Sequence, residues 1–310
     1  MIVSKLRIFS QNVCKNALIL NSILETQNHF DIILIQEPPW SEIQKIPSSS
    51  NCKGEPLVGT CHHPNWISYA RTSPNSDDLP RVIAFINIRL SSFQFLLHKD
   101  IFDHHDICLL SFFNSGTCFY IINVYSDSSH LALKYLKDTE VNISNVLLMT
   151  GDFNIRDSLW DPTFPFHSSI SNDLIMIADL FDLSLLSPAN PGPTRFSDTI
   201  GESNSVIDLM FLCHGSIELD NHSILPDCCL SSDHASLIIN VPIVDEFIPT
   251  SKFTIPPKSE HETKFIKDVI SNFSELDTFH IETIDNLESI VDQMWAKNAK
   301  KSRYSKHSKQ

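Results

Sequence analysis

Along the chain, short and nearly unbroken apolar runs alternate with segments of helical periodicity, which predicts a mixed α/β domain. Leu6–Val13 reads as a strand, and Ala17–Leu24 clusters its apolar positions as on one face of a two-turn helix. Asp31–Glu37 (DIILIQE) is a continuous apolar run ending in polar groups and Pro38-Pro39. A strand buried on both faces has this texture, with its functional groups at the C-terminal end. Further strands are predicted at Arg81–Leu90, Asp106–Ser111, Cys118–Tyr125, Val146–Thr150, Val206–Cys213 and Ser236–Val244, and helices at Leu131–Asn142 and Leu174–Leu186. Between Pro38 and Pro80 the Pro, Ser, Asn and Gly content predicts a long irregular loop that shapes a substrate site.

After Val244 the texture changes. Ser259-Glu260-His261-Glu262 has capping-box spacing ahead of an apolar stripe of Phe265, Ile266, Val269, Ile270 and Phe273. A second stripe runs through Ile284, Leu287, Ile290, Val291, Met294 and Trp295. The expected organisation is one domain over residues 1–245 and a helical extension with a basic tail over 246–310.

Composition narrows the function classes. With 42% hydrophobic and 19% charged residues, disorder throughout is excluded. Neither GxGxxG nor GxxxxGK[ST] occurs, and seven glycines in 310 residues leave little material for a glycine-rich phosphate cradle. The net charge of -14 argues against a broadly basic nucleic-acid surface, because such binding depends on Lys and Arg displacing counterions. Clustered acids can instead recruit a metal that carries the positive charge to a phosphate. Lys297, Lys300, Lys301, Arg303, Lys306 and Lys309 crowd the C-terminus, where a solvated tail is expected.

Eight cysteines without CxxC or zinc-ligand spacing read as buried, reduced thiols. Arg7, Ser10, Gln11 and Asn12 interrupt the N-terminal apolar segment, and no run approaches the ~20 residues that span a bilayer. A soluble, intracellular chain with no membrane partner is expected. His62-His63 and His104-His105 read as loop or surface residues, since neighbours on a strand point to opposite faces. For Trp40 and Trp160, stacking on bases and packing beneath a loop both stay open.

The chemistry lies in an ordered series of polar residues, each at the end of a predicted strand. It comprises Asn12, Glu37, Tyr125, Asp152 and Asn154 in Gly-Asp-Phe-Asn, Asp208 in Val-Ile-Asp-Leu, and Asp233-His234 in Ser-Ser-Asp-His. Residues two apart on extended backbone share a side, so Asp152 and Asn154 can face one spot while Phe153 turns into the core. Hard oxygen ligands with one His, and no Cys or His cluster, describe a Mg²⁺ or Mn²⁺ site and not structural zinc.

The order and context of Gly151-Asp152-Phe153-Asn154, Ser205-Val206-Ile207-Asp208 and Ser232-Asp233-His234 resemble the endonuclease/exonuclease/phosphatase superfamily over roughly Ile2 to Val244. More narrowly, Ile35-Gln36-Glu37-Pro38-Pro39-Trp40, Asn154-Ile155-Arg156 with Leu159-Trp160-Asp161-Pro162, and Pro193-Thr194-Arg195-Phe196 resemble the endonuclease domain of non-LTR (LINE-type) retrotransposons. The resemblance implies an α/β fold, a four-layer DNase I-like sandwich of two packed mixed sheets flanked by helices. It implies a Mg²⁺- or Mn²⁺-dependent endonuclease that nicks DNA in the nucleus and leaves a 3′-hydroxyl. With no Tyr/Phe-x-Asp-Asp polymerase motif, the chain looks like the endonuclease piece of such an element's polyprotein, and two readings stay open: a piece whose partner is a reverse transcriptase domain in a longer polyprotein, or a domain standing alone.

Residue by residue, the resemblance implies Glu37 as metal ligand, supported by Asn12 and joined by Asp233. Asp152 would orient or deprotonate the attacking water, Asn154 would position the phosphate or nucleophile, and Tyr125 would contact the phosphate. His234, oriented by Asp208, would stabilise the charge building on the phosphoryl oxygens, and Thr194, Ser205 and Ser232 would touch the phosphate. Cys14 departs from the pattern, standing where several relatives carry an Asp or another polar residue, and a thiol is a poor partner for Mg²⁺. Two alternatives stay open at this point: a phosphatase or phosphodiesterase of the same fold acting on inositol phosphates or lipids, and an inactive remnant that binds DNA or a protein.

Overall fold

A computed structural model describes residues 5–39, 63–71, 79–114, 117–139, 141, 143–197, 201, 203–213, 223–225 and 232–242, with short pieces at 44–47, 56–59, 253–254, 263–264, 266–267 and 300–301. In chain order the first half holds β1 (Lys5–Asn12), α1 (Ala17–Thr26), β2 (Ile32–Gln36), β3 (Gln44–Pro47), β4 (Pro56–Gly59), β5 (Trp66–Tyr69), β6 (Val82–Asn87), β7 (Leu96–Leu97), β8 (Ile107–Asn114) and β9 (Thr117–Tyr125). Then come α2 (Leu131–Asp138), β10 (Val146–Asp152), α3 (Ser169–Leu180), β11 (Leu183–Leu185), β12 (Asp208–Cys213), β13 (Ser223–Leu225) and β14 (Ser236–Pro242).

Two six-stranded sheets result, ordered β13-β14-β1-β2-β6-β5 and β11-β12-β10-β9-β8-β7. Each contains one parallel pair, β1–β2 in the first and β9–β10 in the second, among antiparallel neighbours. Their inner faces pack together and helices cover the outer faces, giving four layers. That arrangement explains why β2, β6 and β10 are buried along their whole length and carry continuous apolar runs.

Helix α1 begins where the Asn16 side chain accepts from the amides of Leu18 and Ile19. It lays Ile19, Leu20, Ile23 and Leu24 on Phe9, Ile33, Ile35, Ile83 and Phe85. On the far side α3 buries Leu174, Ile177 and Ala178, and Phe181 meets Phe102 edge to face. A buried polar tie joins the sheets: Gln36 Nε2 donates to Asn123 Oδ1 at 2.6 Å, and Asn123 Nδ2 donates to the carbonyls of Ile35 and Ile83. Apolar contacts slide easily, whereas these directional bonds hold one sheet in register against the other.

Several boundaries differ from the sequence reading. The helix expected over Leu174–Leu186 starts at Ser169, where the Ser168 hydroxyl accepts from the Ile170 amide, and stops at Leu180. Asp182 then takes a left-handed φ of 64°, and Leu183–Leu185 pairs with β12 as an edge strand. The strand expected to reach Leu90 ends at Asn87, whose side chain accepts from the Arg89 amide and opens a 3₁₀ turn over Ile88–Phe93. The stretch expected to be irregular contains the β3–β4 hairpin and β5. Cys108 and Cys213 are buried as expected, but Cys14 is exposed and Cys118 half-buried.

The chain divides into two compact units, Met1–Asp245 and Glu246–Gln310. In the second, Phe253–Thr254 pairs antiparallel with Lys300–Lys301. Thr263–Lys264 and Ile266–Lys267 are helical, while the rest of both apolar stripes lies outside the described residues. Among the described residues, no helix is long and apolar enough to cross a membrane.

Candidate active site

The parallel pairs bring the polar strand ends together. Asn12 stands opposite Gln36 across β1–β2, so Glu37 emerges beside Asn12. In the other sheet Asp152 stands opposite Tyr125 on β9 and opposite Asp208 on β12. Asp233 and His234 enter just before β14, and His234 bridges the backbone of Arg195. Two neighbouring sheet ends thus collect groups from six separated segments.

Asn12 sits at the junction. Its Nδ2 donates to Asp152 Oδ2 at 2.8 Å and lies 3.4 Å from Glu37 Oε2, while its Oδ1 accepts from the Cys14 amide at 2.8 Å. The amide therefore turns its donor end to the two acids and bridges them. Asp152 is buried and its Oδ1 accepts from the Asn154 amide at 2.9 Å. Asn154 spends its side-chain donor on the Ser126 carbonyl, and Phe153 is buried in the core, as the two-residue spacing predicted.

His234 lies between two carboxylates. Its Nδ1 is 2.9 Å from Asp208 Oδ2, and its Nε2 is 3.9 Å from Asp152 Oδ2. Burial opposes charge on the ring, but Asp208, then Asp152 and Asp233, outweigh it and raise the imidazole to about 9. The Asp152 carboxyl is itself pushed up, first by burial and then by the charge of Asp208, against the pull of His234 and the Asn12 bond. Burial and the charges of Glu37 and Asp152 hold the Tyr125 hydroxyl in its protonated form, and Arg81 stacks 4.8 Å above the Tyr125 ring centroid.

Backbone strain collects here as well. Cys14, Glu37 and Asn154 all adopt left-handed φ values, of 48°, 46° and 50°. For residues other than glycine such geometry costs on the order of 1 kcal/mol or more, and it persists where surrounding contacts over-determine it.

Of the three hydroxyl residues expected to meet the phosphate, Thr194 and Ser232 have theirs engaged elsewhere and Ser205 is buried. Thr194 is 1% exposed, and its Oγ1 accepts from the amides of Ile207 and Asp208 at 3.0 Å each. Ser232 Oγ donates to the Asn12 carbonyl and accepts from the His234 amide, both at 3.1 Å. Ser205 is buried and pairs its backbone with Arg195. These groups brace Asp208, Asn12 and His234 from behind.

The sequence reading passed over two cations, Lys15 Nζ at 3.5 Å from Glu37 Oε1 and Arg195 Nε at 3.3 Å from Asp233 Oδ2. Arg195 stood inside a quoted motif, while Lys15 had no signal beyond its nearness to Cys14. His104 and His105 stack on each other beside Asp106, which Arg81 holds at 2.5 Å through two nitrogens. Trp160 is half-buried and donates Nε1 to the Ile155 carbonyl, so it packs under its loop. It also lines a cleft of about 630 Å³ with Leu159, Pro188, Pro193 and Leu237, which reaches Asp208. Trp40 and His62 lie outside the described residues.

The donor set suits a hard divalent cation. Glu37 keeps 18% of its side chain exposed and Asp233 31%, so both carboxylates can receive an ion from solvent. Asp152, Asp208 and His234 offer ligand atoms within 4.8 Å of one another.

The two packed mixed sheets and their helices define a fold class, the DNase I-like α/β sandwich. A model of the endonuclease–reverse transcriptase family matches residues 119–238, from β9 through the Asp152, Asp208 and His234 strand ends. The fold is similar to that of the endonuclease domain of TRAS1, a telomere-specific non-LTR retrotransposon, at 15% identity and a TM-score of 0.54, covering 77% of this chain and 99% of that one. It is also similar to the AP endonuclease LMAP from Leishmania major, at 11% identity and a TM-score of 0.52, covering 78% of this chain and 89% of that one. No curated protein sequence matches the chain.

Proposed function

We propose that the chain hydrolyses phosphodiesters with a divalent metal, acting as a DNA endonuclease that nicks one strand and leaves a 3′-hydroxyl. The observation that carries this reading is the buried Asp208–His234–Asp152 array, tied through Asn12 to the more exposed Glu37. At neutral pH His234 is an imidazolium whose Nε2 proton faces the site, where it can donate to a phosphoryl oxygen as charge builds. Asp208 fixes the ring, and Thr194 fixes Asp208.

Asp152, made more basic by burial and by Asp208, orients water and accepts its proton as the water oxygen attacks phosphorus. The bond from phosphorus to the 3′-oxygen breaks, and that oxygen takes a proton from solvent to become the hydroxyl. Glu37 and Asp233 would hold Mg²⁺ or Mn²⁺, with Asn12 positioning Glu37 and not serving as a ligand. The bound cation supplies Lewis-acid stabilisation of the phosphate. In this reading the protonated Tyr125 hydroxyl and the second side-chain N–H of Asn154 contact the substrate phosphate, whereas Thr194, Ser205 and Ser232 act as positioning residues.

DNA as substrate is supported by the described relatives, an endonuclease of a retrotransposon and an AP endonuclease. The family description pairs the endonuclease with a reverse transcriptase, which supports such a domain as partner; action on chromosomal DNA in the nucleus is part of the proposal. We further propose residues 1–245 as the catalytic domain, since every site group precedes Ser236. Intactness of the buried array weighs against an inactive remnant.

Supercoiled plasmid should convert to nicked circles with Mg²⁺ or Mn²⁺ and not in excess EDTA. Asp152→Ala and His234→Ala should each lower the rate by about 10² or more. Nicking that survives EDTA, or near-wild-type rates in folded variants, would overturn the reading.

A further inference from the structure

Cys14 is the one group at this centre that hard-metal chemistry leaves unexplained. It is exposed, and its left-handed backbone is pinned by its amide bond to Asn12 Oδ1. Its Sγ donates to Asp233 Oδ1 at 2.8 Å. Cys14, Asp233 and His234 each offer one ligand atom, all within 4.8 Å of one another.

We propose that Cys14, Asp233 and His234 form an inhibitory site for a thiophilic divalent cation such as Zn²⁺, overlapping the phosphodiesterase centre. A sulfur, an imidazole nitrogen and a carboxylate oxygen make a donor set for tetrahedral zinc, with water as the fourth ligand. Zinc bonds of about 2.3 Å to sulfur and about 2.1 Å to nitrogen or oxygen give ligand edges of about 3.4–3.6 Å. Pairs that stand as far as 4.8 Å apart close slightly and the 2.8 Å sulfur–carboxylate contact opens to about 3.6 Å, adjustments that the exposed Cys14 side chain can supply.

His234 is already oriented for this role. Asp208 holds Nδ1 at 2.9 Å, leaving Nε2 as the coordinating atom in the carboxylate–histidine arrangement that aims imidazole ligands at metals. The thiol proton shared with Asp233 marks where positive charge is favoured. A divalent cation at this point displaces the thiol proton of Cys14 and the Nε2 proton of His234, and releases both to solvent.

Loading this site removes the His234 donor and withdraws Asp233, so phosphodiester hydrolysis stops. That consequence rests on the function proposed above, while the binding does not. The test therefore has two arms on the full chain, comparing wild type with Cys14→Ser and with Cys14→Asn, the latter because Asn tolerates positive φ.

In the first arm the metal-free proteins are titrated with Zn²⁺ by calorimetry and with Cd²⁺ by ultraviolet thiolate–metal absorption. Wild type should show the cadmium–thiolate band, and both variants should lose it and bind Zn²⁺ about 10-fold more weakly or worse. In the second, Zn²⁺ is added to Mg²⁺-supported plasmid nicking, and the half-inhibiting concentration should rise about 10-fold in each variant relative to its own uninhibited rate. Equal Zn²⁺ affinity and an equal cadmium band in wild type and a folded variant would overturn the site. Equal inhibition would overturn its regulatory role. Absence of Mg²⁺-supported nicking in wild type would instead remove the hydrolase reading, and the first arm would still decide the metal site.

Discussion

Replacing Asp208 by asparagine barely changes the size of the side chain at the start of β12 and removes its charge. His234 stands at about 9 against 6.5 for an unperturbed ring, a difference that corresponds to roughly 3 kcal/mol. Because burial pulls the other way, the favourable interactions exceed that figure, and Asp208 leads them. The sign follows from the raised value. The stabilisation from the charged ring is full below pH 6.5 and is lost as pH rises through about 9.

Asp208→Asn should therefore lower the His234 pKa by about one unit or more, read by NMR titration of its ring protons in metal-free protein. Plasmid nicking at pH 8 should fall by about 10², since the developing phosphoryl charge loses its oriented donor. The stability advantage of wild type in urea should shrink between neutral pH and pH 10. A ring that still titrates within about 0.3 unit of wild type would refute the assignment of Asp208 as the main source of the shift.

Asp157 is fully buried, accepts from the amides of Leu159 and Ser168 at 2.9 and 2.7 Å, and meets His167 Nδ1 at 2.9 Å. Those bonds outweigh burial and hold its carboxyl well below the ordinary 3.8, so its contribution is present above that value and lost as pH falls through the folded one. Asp157→Asn should cost about 2–3 kcal/mol in urea unfolding at pH 7, and the gap should narrow toward pH 3; a constant gap would sink the charge argument. Gly151→Ala should cost about 3 kcal/mol or more, seen as a large drop in Tm, because a Cβ there would meet the Val124 carbonyl oxygen at 1.8 Å on a backbone with φ of 152°. Truncation after Asp245 should leave metal-dependent nicking intact, and loss of hydrolysis in a soluble, folded truncation would show that the extension takes part in the site.

Local patterning carried the sequence a long way for this protein. β2, β6 and β10 announce themselves as continuous apolar runs, because each is covered on both faces and has no solvent side to mark with polar residues. Glu37, Tyr125, Asp152, Asp208 and His234 stand out because polar groups interrupt such runs where a strand ends, and their order matched the superfamily. The short strands β7, β11 and β13 carry no such signal, since two or three residues pair at an edge only when a longer neighbour is already in place.

What only the tertiary structure decided is which of these groups touch and which support. Asn12 bridges Asp152 and Glu37 across residues 12, 37 and 152, a relation set by two parallel strand pairs in different sheets. Thr194 and Ser232 read as exposed hydroxyls near a phosphate until backbone amides separated by a few ångströms claim them. Cys14 is marked in the sequence only as a thiol where relatives carry an Asp or another polar residue, and a left-handed turn after β1 is what sets its sulfur against Asp233, 219 residues away. Periodicity records which face of an element is buried, but charge and hydrogen bonds between distant segments depend on distances that only the packed sheets create.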